Sequence, residues 1–121
     1  MTVYEAAGEA TLREIVADFY RQVPEDEILG PMYPAEALAA AEQRLCGFII
    51  YRFGGPQTYI EERGHPRLRM RHAAFRIDQA ARDRWVELMD AAIARQDLAE
   101  EIATPIREFL HESATFLINV G

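Results

Sequence analysis

Apolar residues recur at helical spacing along most of the chain. Leu12, Ile15, Val16, Phe19 and Tyr20 fall on one face of a helix. Thr11 and Glu14 have the spacing of a capping box, in which each side chain satisfies a free backbone N–H, so this helix is expected to start at Thr11 and fade before Pro24. A short acidic turn over 24–28 and the breaker Leu29-Gly30-Pro31 follow. The next pattern, 35–53, is rich in good helix formers and places Leu38, Ala41, Leu45, Phe48, Ile49 and Arg52 on one face. Gly54-Gly55-Pro56 ends it. Residues 57–63 read as irregular, Gly64-His65-Pro66 as another break, and 67–75 as a short helix at most. Asp78 is placed to cap a helix running to 95, with Trp85, Leu88, Met89 and Ala92 on one side. Thr104-Pro105 reads as the start of a last helix, with Ile106, Phe109, Leu110, Ser113, Phe116 and Leu117 as its apolar stripe. Strand signals are weak and confined to 117–120. The pattern predicts an all-α fold of about four substantial helices joined by short connections.

The length of 121 residues predicts one domain, 1–121, and an apolar content of 50% is enough for a core without disulfides or a structural metal. Thirteen basic residues against twenty acidic ones give a net charge of −7. That balance argues against non-specific nucleic-acid binding and against docking on anionic lipid, both of which need basic surface. Cys46 is the one cysteine, so no intramolecular disulfide and no multi-cysteine metal site can form. No apolar run is long enough to span a membrane, and the start, MTVYEAAGEA, lacks the basic-then-apolar order of a signal peptide. A cytoplasmic location is the expectation.

The basic residues are unevenly spread. The stretch GHPRLRMRHAAF over 64–75 carries Arg67, Arg69, Arg71 and His72, with Arg76 just beyond. A histidine among arginines suits an anionic ligand that brings a metal: the imidazole meets the metal and the guanidiniums meet carboxylates. Haem has that chemistry, with iron at its centre and two propionates at one edge. A solvated basic face on a short helix is the competing reading. No HExxH, paired Glu-x-x-His or nucleotide-binding glycine motif is present.

Phe19-Tyr20, the 42–45 region, Gly54-Gly55-Pro56 with Thr58-Tyr59, the GHPRLRMRHAAF stretch and Arg82-Asp83-Arg84-Trp85 occur in an order that resembles the truncated haemoglobins of group II. The resemblance runs from about Tyr4 to Asn119. It implies a globin-like two-over-two α-helical sandwich and a haem b cofactor (iron protoporphyrin IX). It places His72 as the proximal ligand of the iron. Tyr20, Tyr33 and Trp85 match distal positions, and Ala41 and Leu45 match two positions on the distal helix. Since neither Ala41 nor Leu45 can donate a hydrogen bond, the distal donors implied are Tyr20, Tyr33 and Trp85. Arg71 and Arg44 are the residues expected at the propionates, Tyr59 near the haem edge, and Leu45 and Phe48 against the haem. The small Ala41 leaves a route for small ligands. His65 and His111 fall outside the haem-ligand positions. Taken singly, Tyr20 and Trp85 also read as core packing and Tyr33 as a loop anchor.

Phe53 stands where the family often has Trp, and Ala74 where it often has Pro. The function implied is oxygen binding or transport at ferrous iron. The alternative is a redox enzyme of nitric oxide dioxygenase or peroxidase type, drawing electrons from an external reductase. A haem-free helical partner-binding module is a third reading. Oxygen and other diatomic ligands are the expected partners, with self-association as a homodimer.

Overall fold

In a computed structural model the chain is described over residues 2–55 and 77–118. Its α-helices there are α1 (Val3–Ala7), α2 (Glu9–Gln22), α3 (Leu38–Arg52), α4 (Gln79–Ala94) and α5 (Glu100–Phe116). Three 3-10 turns, Val23–Glu25, Gly30–Met32 and Ala35–Ala37, join α2 to α3. Among the described residues there is no β-strand. Helix α2 packs on α3 and on α4, and α4 packs on α5. This is the two-over-two helical arrangement expected. The short α1 lies against α2 and α5.

The stripe read from α2 is its buried face: Leu12, Ile15, Val16, Phe19 and Tyr20 are all buried, Phe19 completely. Burying each such side chain is worth roughly 1.5–3 kcal/mol. The start of α2 differs from expectation. Its N-cap is Gly8, at φ +88°, and Thr11 lies inside the helix. The capping box forms one helix earlier: Thr2 Oγ1 accepts from the Glu5 N–H at 3.1 Å, and the Thr2 N–H donates to Glu5 Oε1 at 3.1 Å. Glu14 instead pairs with Arg21.

Helix α3 follows the 3-10 turn at Ala35–Ala37, within the expected 35–53. Gly54 ends it at φ +102°, as a residue just past a helix often does. The two glycines also let the start of the chain pass close. The Tyr4 N–H donates to the Phe53 carbonyl at 3.0 Å, and a Cβ on Gly55 would sit 2.6 Å from the Tyr4 ring and from Ile50 Cγ2.

Asp78 caps α4 as expected, its carboxylate accepting from the Ala81 N–H at 2.9 Å. The start of α5 is five residues earlier than the Pro105 signal suggested, at Glu100, and Pro105 lies inside the helix. Proline there removes one internal hydrogen bond. The extra turn is held by buried Ala103 and by Glu100, which accepts from Thr104 and from Arg107. Two acidic residues in that first turn also suit the helix dipole. Phe116 departs from the expected stripe and is 53% exposed.

Buried Asp18 on α2 is tied to the end of α4. Arg95 donates to both carboxylate oxygens, at 2.6 and 2.8 Å. Nearby, Gln22 donates to the Leu88 carbonyl at 3.0 Å.

Two outcomes follow for stability. Gly55→Ala should destabilise by about 1–3 kcal/mol in urea unfolding, because the new methyl has no space; an unchanged midpoint would mean that α1 yields freely. Arg95→Met should cost about 1–3 kcal/mol at pH 7 by leaving a buried carboxylate unpaired. Arg95 holds the Asp18 carboxyl below its ordinary range, mainly by hydrogen bonding. The pair's contribution is therefore complete above the unfolded value of about 3.9 and fades as pH falls through the lower folded value. The gap between wild type and variant should accordingly shrink in acid, and a gap that does not change with pH would refute the assignment.

Candidate functional site

A cavity of about 240 Å³ lies between α2, the connection that follows it, α3, α4 and α5. Helix α3 contributes Ala41, Arg44, Leu45 and Phe48, which share one face at spacings of three and four. Tyr20 enters from α2, Tyr33 from the residue after the second 3-10 turn, and Trp85 from α4. The structure thus brings seven of the residues singled out from the sequence to one wall-lined space. His72, Arg71 and Tyr59 lie outside the described residues.

The three aromatic side chains with polar atoms are held by ring packing. Phe19 sits behind two of them, meeting Tyr20 edge-on with centroids 4.9 Å apart and Trp85 at 5.2 Å and 55°. Tyr20 in turn meets Tyr33 edge-on at 5.7 Å. Edge-to-face contacts at these separations are favoured by the ring quadrupoles.

Both phenols stay protonated. Burial, then the neighbouring Tyr33, pushes the Tyr20 hydroxyl far above its ordinary value. Burial also raises Tyr33, while Trp85 and Tyr20, acting as hydrogen-bonding neighbours, oppose that rise. The positive charge of Arg44 opposes both shifts more weakly. At any ordinary pH the cavity lining therefore holds two neutral phenols and one indole N–H, with the Ser113 hydroxyl besides.

The loop that carries Tyr33 is built from local hydrogen bonds. The Asp26 carboxylate accepts from the Ile28 and Leu29 N–H groups at 2.9 and 2.8 Å. The Gly30 N–H returns to the Asp26 carbonyl at 2.9 Å, and the Tyr33 N–H to the Gly30 carbonyl at 3.2 Å.

Several cavity residues carried no assigned role from the sequence. Arg82 lines the cavity, donates to Thr115 Oγ1 at 3.0 Å and pairs with Asp83 at 3.1 Å. Its position three before Trp85 on one helix was the available signal. Leu29, Met32, Leu110 and Leu117 supply apolar wall. His111 pairs with Asp90 at 2.8 Å, half exposed and away from the cavity lining.

Among the described residues no group of three or more His, Cys, Asp or Glu side chains could hold a metal. A metal brought within its own macrocycle needs no such group. The lining fits one: aliphatic and aromatic walls for a flat apolar ring, and the guanidiniums of Arg44 and Arg82 for carboxylates.

Comparison with known proteins agrees. The family model for bacterial-like globins matches residues 2–119. The group 2 truncated haemoglobin YjbI of Bacillus subtilis is 38% identical over 88% of this chain and 77% of its own length. The crystal structure of a thermostable haemoglobin from Thermobifida fusca is 45% identical, with a TM-score of 0.94 over 99% of this chain and 98% of that one. The haemoglobin of Chloroflexus aurantiacus is 40% identical, with a TM-score of 0.93 over 99% of both chains. On its fold, its cavity and these likenesses, the chain belongs to the bacterial-like globins, among the group II truncated haemoglobins, and is a haem-binding globin.

Proposed function

We propose that this globin binds oxygen reversibly at a ferrous haem b held by His72, with Tyr20, Tyr33 and Trp85 donating to the bound gas. When bound, ferrous haem supplies an iron that takes up a diatomic ligand and leaves partial negative charge on oxygen. The observation that carries the reading is the convergence of three neutral donors from three elements on one largely apolar cavity. Donors fixed in place and shielded from water stabilise developing negative charge far better than mobile water does. Leu45 and Phe48, which line the cavity, would present apolar surface to the ring, and Ala41 would leave space beside the gas. Arg44 and Arg71 are assigned to the propionates, with Tyr59 at the haem edge. His72 meets the iron as a neutral imidazole. A haemoglobin of Bacillus subtilis, 33% identical and with a TM-score of 0.92, is described as oxygen-avid, which supports oxygen as the gas.

Absorption spectra of the purified protein test the cofactor. Oxidised, reduced and carbon monoxide–treated samples should show a Soret band that shifts between states, and His72→Ala should lose or alter it. A colourless protein that takes up no added haemin would overturn the reading.

Oxygen dissociation tests the donors. Tyr20→Phe and Trp85→Phe should each release oxygen about 3- to 10-fold faster, the size of one net hydrogen bond. Carbon monoxide, which carries little negative charge, should leave at a nearly unchanged rate. Equal oxygen release from wild type and both variants would remove these residues from the distal role.

A further inference from the structure

We propose that Asp26 and Arg84 form a positioning pair that fixes Tyr33 and Trp85 relative to each other, and so sets how long the cavity retains its gas. The inference rests on the distal roles proposed above and names residues outside the cavity lining.

Tyr33 and Trp85 reach the cavity from elements far apart in sequence. One is on an irregular connection and the other on α4. Ring packing does not join them, since Tyr33 packs on Tyr20 and Trp85 on Phe19, and inside the cavity they meet only as hydrogen-bonding neighbours. Asp26 ties the same two elements together from outside the cavity. Its side chain is only 6% exposed, and every oxygen is engaged. Oδ2 accepts from the Ile28 and Leu29 N–H groups, and Oδ1 accepts from Nη1 of Arg84, which directly precedes Trp85.

Each side of this link is stiff. From Asp26 to Tyr33 the backbone is closed by successive turns: Gly30 to the Asp26 carbonyl, Met32 to the Leu29 carbonyl at 2.9 Å, and Tyr33 to the Gly30 carbonyl. Leu29, within the same turn, is buried and forms part of the cavity wall. Gly30 lies close under the preceding turn, where a Cβ would sit 3.3 Å from the Val23 and Pro24 carbonyl oxygens. On the other side, Arg84 is steadied by Glu87, three residues on, at 3.3 Å. Neighbours on a helix point about 100° apart, so Arg84 can hold the outer loop while Trp85 turns inward. A charged hydrogen bond between a nearly buried carboxylate and a guanidinium is directional as well as strong. It therefore fixes rotation of α4 against the loop, which apolar contact does less well.

The test uses the haem-loaded full-length protein. Arg84→Met keeps the aliphatic stem and removes the link, and Arg84→Lys restores charge and one donor. Oxygen dissociation, the C–O stretch of the carbon monoxide form and the thermal midpoint are compared with those of Tyr33→Phe and Trp85→Phe. The expected result is oxygen release about 3- to 10-fold faster in Arg84→Met and a C–O stretch that broadens or splits. Arg84→Lys should recover most of each change. A lower thermal midpoint with an unaltered C–O band and oxygen rate would show a merely structural pair and overturn the inference, provided Tyr33→Phe or Trp85→Phe does alter that rate. If those two leave the rate unchanged as well, the distal assignment itself fails and the inference falls with it.

Discussion

Phe19 has no exposed surface, and its ring touches both Tyr20 and Trp85. Almost everything else follows from having to bury it. Helix α2 must lie between α3 and α4 for that ring to be covered, and covering it brings the next residue, Tyr20, to the cavity. A cavity-lining phenol is therefore attached directly to a fully buried core residue. A phenol on a well-packed helix has few rotamers open to it, so its hydroxyl is held near one place, beside Tyr33. The same packing excludes water, which raises the phenol's pKa and strengthens any hydrogen bond it makes.

The helices were legible wherever one face decides the outcome. The α2 stripe and the α3 row at 41, 45 and 48 follow from periodicity, and Asp78 from its capping chemistry. Local signals misled where two sites satisfied the same rule. Thr2–Glu5 and Thr11–Glu14 both have capping-box spacing, and only the backbone at Gly8, with its positive φ, decides which is used. Pro105 misled for another reason: a local start signal was overridden by burial of Ala103 and by the contacts of Glu100, which begin the helix five residues earlier. Phe116 was counted in the α5 stripe because it is apolar. The buried row of Ala103, Ile106, Leu110 and Ala114 drifts around the helix, leaving Phe116 roughly 125° from its centre at 100° per residue.

The cavity's aromatic wall was legible only through family resemblance. Periodicity placed Tyr20 and Trp85 on inner faces but gave no reason for them to meet Tyr33, which sits in an irregular segment. Long-range polar pairs were not legible at all. Asp26 and Arg84 lie 58 residues apart, and Asp18 and Arg95 lie 77 apart. Nothing in either local sequence selects its partner, since a charged residue near a turn or helix end is usually solvated. Arg82 shows the intermediate case: its spacing from Trp85 puts it on a related face, but its contact with Thr115 depends on how α4 and α5 cross.

The choice of donors bears on what the cavity can do. Among the described lining residues there are phenols, an indole, the Ser113 hydroxyl and two guanidiniums, but no carboxylate and no imidazole. A carboxylate would repel partial negative charge on a bound gas, and an imidazole would change its donor count near neutral pH. Tyrosines whose ionisation is pushed upward by burial do neither. Their donor capacity therefore does not change around neutral pH. On the distal roles proposed, gas retention is set by geometry rather than protonation, through the way the Asp26–Arg84 pair holds the Tyr33 loop against α4.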